Sequence, residues 1–218
     1  MTSKNIVVLI SGRGTNLEAL LNAAADERWE DTPGARVAAV ISNRGDAAGL
    51  AIARKFGIPW HVVLHTEFGS RESFDEALAR TVDRYAPALV VLAGFMRVLT
   101  PGFVRRYEGR LVNIHPSLLP LFPGLHTHRK ALAAGVRVHG ATVHFVSPDV
   151  DNGAIIAQAV VPVRPEDDEA SLAARVLEEE HRLLPRAVKL VLEGRVRCEN
   201  ERVVLDRVGA DELALLAP

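Results

Sequence analysis

Cysteine is almost missing: Cys198 is the one thiol in 218 residues. A lone thiol excludes an internal disulfide framework and any zinc site built on several cysteines, and it suits a reducing compartment. Charge of one sign is missing too. A net charge of −1 and a pI near 6.7 argue against a binder of polyanions, which carries a clear excess of Lys and Arg; only a local basic patch stays open. Long hydrophobic runs are also absent. Lys4 is followed by the short apolar stretch Ile6 to Ile10 and then by glycine and arginine, which is no secretion signal. The longest stretch free of Asp, Glu, Lys and Arg, Leu111 to His128, holds three prolines and three histidines and cannot be a membrane helix. The chain reads as cytoplasmic, with neither nucleic acid nor membrane as partner. What remains is ordinary globular material, 48% hydrophobic and 24% charged with 5% aromatic residues. A chain of this size makes one large domain or two modest halves and buries about 70% of the surface its open form exposes.

Apolar runs alternate with helical patterns through the first half. Ile6–Ile10 predicts a buried strand, and Leu17, Leu20, Leu21 and Ala24 share one face of a helix over Asn16 to Ala25. Val37 to Ile41, His61 to Leu64, Leu89 to Ala93 and Leu111 to Ile114 predict further strands. A helix is expected over Ala47 to Phe56, stopped at Gly57. Another carries Phe74, Ala77, Leu78, Val82 and Tyr85, with Ser70 as N-cap and Pro87 as stop. Strand–helix alternation with all-apolar strands means a mostly parallel sheet covered by helices on both faces, an α/β fold. The second half changes character. Thr142 to Val146 and Ile155 to Val163 predict an antiparallel hairpin. A long helix from about Asp168 to Glu193 follows, kinked at Pro185 and closed by Gly194. Arg195 to Pro218 suggests a small hairpin and a ragged tail.

Three segments carry candidate chemistry. Ser11-Gly12-Arg13-Gly14-Thr15-Asn16 joins the first strand to the first helix, at the carboxyl end of the sheet where ligands bind. It fails as a dinucleotide fingerprint because position 17 is Leu17, and no Gly-Lys-Ser/Thr follows. A small phosphate cradle and a merely tight turn both remain open. In Asn113-Ile114-His115-Pro116, alternation puts an amide and an imidazole on one strand face, and Pro116 ends the strand. That pair is either catalytic or simply satisfied by nearby loops. Asp149 to Gly153 fills the hairpin loop. Its acids are turn residues unless one lies near His115, where a carboxylate would favour the protonated ring and orient its proton. His115, His126, His128, His139 and His144 invite a metal reading, and His126-Thr127-His128 has a spacing zinc can use, but no carboxylate stands near the His126 pair and no His-Glu-x-x-His helix occurs, so no metal is expected. Glu178-Glu179-Glu180-His181 reads most simply as a solvated helix face.

Taken together, Ile10 to Leu17, Leu92 to Leu99, Asn113 to Pro120, Gly124 to His128 and His144 to Asp151 resemble, in order, the motifs of the folate-dependent formyltransferase family, and within it the glycinamide ribonucleotide transformylases. The likeness spans about Asn5 to Arg197. It implies a Rossmann-like fold in one formyltransferase domain over 1–218. About 1–110 would hold the ribonucleotide and its phosphate, about 111–197 the catalytic and folate-binding half, and 198–218 a tail. Gly14, Thr15 and Asn16 would then hold the phosphate and Glu180 the ribose hydroxyls. Arg71, the backbone of Met96, Arg97, Val98 and Leu99, and the loop from Val146 to Asp151 would receive the folate. Asn113, His115 and Asp151 match the catalytic set. The cosubstrate implied is 10-formyltetrahydrofolate and the acceptor glycinamide ribonucleotide, with a homodimer left open. Thr15 replaces a common serine and keeps its hydroxyl.

The chemistry suits these residue types. An amine attacking a formyl carbon makes a tetrahedral centre with an oxyanion, which fixed donors such as Asn113 and a protonated His115 stabilise. Asp151 would support the charged ring and handle the proton between nitrogens. A relative that formylates initiator methionyl-tRNA carries a basic C-terminal domain, for which Val196 to Pro218 leaves little room. A hydrolase relative carries an extra N-terminal regulatory domain, and here the first strand begins at Asn5. A non-catalytic regulator of the same fold would lack the Asn–His–Asp set, and a metal-dependent hydrolase would need ligands that are missing.

Overall fold

The computed structural model describes residues 3–216, which form two compact units divided between Asn113 and Ile114. The first contains β1 (Lys4–Ile10), α1 (Thr15–Asp26), β2 (Ala35–Ser42), α2 (Gly49–Lys55), β3 (Trp60–Val62), a 3₁₀ turn (His65–Glu67), α3 (Arg71–Asp83), β4 (Leu89–Leu92) and α4 (Pro101–Arg106). β5 (Leu111–His115) begins in this unit and ends in the next. The strand order is β5-β4-β1-β2-β3, every pair parallel. Residues Ile6–Ile10 and Leu89–Val91 are at 0% exposure, which is why these strands read as continuous apolar runs instead of alternating ones. Ser70 caps α3: its hydroxyl accepts from Ser73 N at 3.1 Å while Ser73 Oγ accepts from Ser70 N. Such a cap is worth about 1 kcal/mol.

The second unit holds α5 (Thr127–Ala134), β6 (Val138–Phe145), β7 (Ile155–Pro162), α6 (Glu169–Leu192), β8 (Val196–Glu199), β9 (Arg202–Leu205), α7 (Ala210–Leu213) and β10 (Ala214–Leu216). β6 and β7 form the expected antiparallel hairpin, and α6 packs on both. Asp168 caps α6 by accepting from Ser171 N at 2.8 Å. The helix continues through Pro185 to Leu192. The overall class is α/β: a mostly parallel, Rossmann-like sheet with helices on both faces, a C-terminal antiparallel hairpin and a long helix.

Two expectations are corrected. The acidic run on α6 is not a solvated face, because Glu179 and Glu180 are buried at 5% and 7% exposure. They fall in the stripe of Leu172, Val176, Leu183 and Ala187 at helical spacing, and Glu179 is satisfied by two contacts from Arg182 at 2.9 and 3.0 Å. The tail is not ragged through Leu216. After the β8–β9 hairpin, β10 pairs in parallel with β7, Ala214 to Leu216 against Gln158 to Val160. Arg195 ties this return to α7 through Glu212 at 2.7 and 2.8 Å.

Candidate active site

His115 is the last residue of β5 and is buried at 6% exposure. Its two ring nitrogens both face oxygen. Nε2 lies 3.2 Å from the Phe122 carbonyl and Nδ1 lies 3.4 Å from Asp151 Oδ2. Only the doubly protonated ring can donate on both sides at once. Asp151 reaches this position from the loop between β6 and β7 with a left-handed backbone, φ 54°, a conformation that surrounding structure must hold in a non-glycine residue. Two contacts supply that hold. Gly124 N donates to Asp151 Oδ2 at 2.8 Å. Gly153 brings its backbone so close to the Phe145 carbonyl that a Cβ there would stand 1.7 Å from the oxygen. The side chain of Asp151 is 11% exposed. The structure therefore brings together residues 36 positions apart (151 − 115) that the sequence could only suggest as neighbours.

His144 on β6, which the sequence offered as one of several histidines and within a family motif, completes this cluster. Its Nδ1–H donates to the Phe145 carbonyl at 2.9 Å, and its Nε2 lies 3.9 Å from Asp151 Oδ1. Burial pushes its pKa below the ordinary histidine value, with the Phe145 carbonyl and Asp151 pulling the other way. Phe122 and Gly124, which hold His115 and Asp151 through backbone atoms, carry no signal a sequence could show. Behind them His128 and His139 meet edge to face at 5.2 Å. Burial, then His128, brings the pKa of His139 down to about 4, and burial lowers that of His128 as well. His126 is exposed and begins α5 in a left-handed conformation. Among the described residues no group of three or more His, Cys, Asp or Glu is placed to hold a metal ion.

In the first unit, the loop after β1 turns into α1 through Gly14 at φ 79°. A Cβ on Gly14 would stand 2.5 Å from the Gly49 Cα, and one on Gly49 would stand 2.6 Å from Ile10 Cδ1. Gly49 N donates to the Gly12 carbonyl at 3.0 Å. Gly49 is thus the unforeseen half of this turn. No side chain caps α1, and its first internal bond runs from Glu18 N to Gly14 O at 2.9 Å. The preceding N–H groups are those a helix directs at an anion. Thr15 is half-buried and Asn16 buried at its start. Asn113 is half-buried, two residues before His115 on β5. Arg71 is exposed at the start of α3. From Met96 to Leu99 the chain alternates: Met96 and Val98 are exposed, Arg97 is half-buried and Leu99 buried. In the second unit Val146, just after β6, is half-buried, and Glu180 lies in the buried stripe of α6.

The fold and the His115–Asp151 cluster define a class: the sequence pattern of the formyl transferase family matches residues 4–188, and the chain belongs to that family. It is 48% identical over 202 residues, 93% of each chain, to the phosphoribosylglycinamide formyltransferase of Escherichia coli (strain K12). A solved phosphoribosylglycinamide formyltransferase from Coxiella burnetii, in complex with CHES, matches with a TM-score of 0.88 and 44% identity, covering 99% of this chain and all of that one. The chain is also 48% identical over 192 residues to the trifunctional purine biosynthetic protein adenosine-3 of Gallus gallus, of whose length that match covers 19%.

Proposed function

We propose that this enzyme moves the formyl group of 10-formyltetrahydrofolate onto the primary amine of glycinamide ribonucleotide, a step of de novo purine synthesis, in the cytoplasm. The observation that carries this reading is the likeness to enzymes named for that reaction over 93% of both lengths. The acceptor's amine attacks the formyl carbon and forms the new C–N bond. The C–N10 bond to the folate then breaks, N10 gains a proton and the attacking nitrogen loses one. Asn113 donates its amide N–H to the developing oxyanion, and a protonated His115 adds a charged donor; fixed donors of this kind stabilise the tetrahedral state more than the ground state. Asp151 supports the charged ring and holds a water that carries the proton between nitrogens. The placement of His115, with Nε2 3.2 Å from Phe122 O and Nδ1 3.4 Å from Asp151 Oδ2, supports these roles.

In this reading Gly14, Thr15 and Asn16 hold the phosphate at the start of α1, whose uncapped N-terminus suits an anion. Glu180 binds the ribose hydroxyls. Arg71, the backbone of Met96, Arg97, Val98 and Leu99, and Val146 receive the folate. Binding energy from the distant phosphate positions the amine. The test mixes purified protein with 10-formyltetrahydrofolate and either glycinamide ribonucleotide or initiator methionyl-tRNA, in the presence of a chelator. Tetrahydrofolate release with the ribonucleotide alone is the expected result. Release with the tRNA, or with water as acceptor, would overturn the choice of substrate, and loss of activity to the chelator would overturn metal-free chemistry.

A further inference from the structure

Between the glycine turn and the segment after β4 lies a buried hydrogen-bond chain that the proposed chemistry leaves unused. Ser11, 5% exposed, donates its backbone N–H to Gly94 O at 3.1 Å. Its Oγ accepts from the Met96 N–H at 2.8 Å and donates to Asn43 Oδ1 at 2.6 Å. Asn43, 3% exposed, is held in turn by its own backbone carbonyl, 2.9 Å from His65 Nδ1. The segment this chain reaches is a surface one: Met96 is 66% and Val98 51% exposed, with Phe95 and Leu99 as its buried apolar anchors. Arg97 lies over the Phe74 ring at 5.1 Å. One hydroxyl thus serves both as acceptor and as donor. Removing it leaves the Met96 N–H and the Asn43 oxygen without a partner, the costly way to lose a hydrogen bond.

We propose that Ser11 and Asn43 are positioning residues: their side chains lock the backbone of residues 94–97 to the end of β1 and so set the surface on which the folate cosubstrate is received. This rests on the assignment of Met96 to Leu99 to the folate under the proposed function. Neither side chain touches substrate. Their effect runs through the Met96 amide, and because Ser11 immediately precedes the glycine turn, the two loops are held in one register.

The test uses the full chain with Ser11→Ala, Ser11→Thr, Asn43→Ala and the double variant Ser11→Ala/Asn43→Ala. Amide hydrogen exchange at Met96 is read by NMR, and the KM for each substrate is read at steady state. In Ser11→Ala, Met96 exchange is expected to quicken at least about tenfold and the KM for 10-formyltetrahydrofolate to rise about five- to tenfold, the scale of one lost hydrogen bond. The turnover number and the KM for the ribonucleotide should stay within about twofold, since the lost bond lies on neither. Ser11→Thr should restore both readings. The double variant should be no worse than Ser11→Ala, since the two act in one chain. Asn43→Ala keeps the oxygen that receives the Met96 N–H, so a smaller rise is expected; it carries the test should Ser11→Ala not fold. Unchanged Met96 exchange would overturn the link. Faster exchange with an unchanged folate KM would overturn its role in binding, and so would a uniform fall in both substrates' kinetics. A wild-type protein inert toward both substrates would overturn the functional reading, and the exchange rates would still decide the link.

Discussion

At His115 an oxygen faces each ring nitrogen, and Asp151 is held in a left-handed turn beside it, an arrangement built with backbone contacts at Phe122, Gly124 and Gly153. Asn113 is the neutral member of the set. Asn113→Ala is expected to lower the turnover number about 10²–10³-fold, the cost of one donor to an oxyanion. Its ribonucleotide dissociation constant should stay within about threefold of the parent, since the lost donor acts on the oxyanion. Steady-state kinetics beside a binding titration check both halves. His139 makes a different prediction. Its ring takes a proton near pH 6.5 in the unfolded chain but only near 4 in the fold. Between those values the unfolded state binds more protons, so acid favours unfolding. The stability present above pH 6.5 should fall by about 3 kcal/mol as pH drops to 4. Urea titrations at several pH values should show a flatter dependence for His139→Phe, which cannot titrate; an identical slope would place the acid sensitivity elsewhere.

At the scale of elements, the turn between β1 and α1 is fixed by a neighbour. Gly49 opens α2 against Gly14, and neither has room for a side chain. Gly49→Ala must displace Ile10 or the glycine turn itself, at about 1–3 kcal/mol. Ribonucleotide affinity is expected to fall with it, as calorimetric titration would show; unchanged affinity would separate the turn from phosphate binding. The same contact marks where reading the chain runs out. β1, β2 and β4 were legible because a strand buried on both faces must be apolar throughout, and Ser70 was legible because caps are local chemistry. α4 and α5 were not foreseen, being short pieces of six and eight residues, although Thr100-Pro101 is a start signal of the usual kind. Gly49, Phe122 and Gly124 act through backbone atoms or empty space, and no residue type announces that. Glu179 and Glu180 were misread because three charges in a row outweighed the spacing from Val176 to Leu183, which already put two of them on the buried stripe.

For the whole molecule, the sheet ends on a short strand. β10 covers β7 with Leu215 buried and Leu216 at 77% exposure. Ending the chain after Asp206 removes α7 and β10 and bares the β7 edge, an invitation to pairing with another copy. Sedimentation is expected to show self-association of that truncated protein beyond whatever the intact chain shows; equal behaviour would mean that β10 protects nothing. Asp151 could not be assigned by spacing alone, since only folding of the β6–β7 loop decides which of its acids turns inward.

The most direct check of the catalytic claim is the turnover number of His115→Ala with 10-formyltetrahydrofolate and glycinamide ribonucleotide both saturating, set beside the ribonucleotide dissociation constant. A fall of about 10²–10⁴-fold in turnover, with the dissociation constant within about threefold of the parent, is the predicted result. Turnover that stays close to the parent value would contradict the role assigned to His115 and, with it, the purpose given to Asp151.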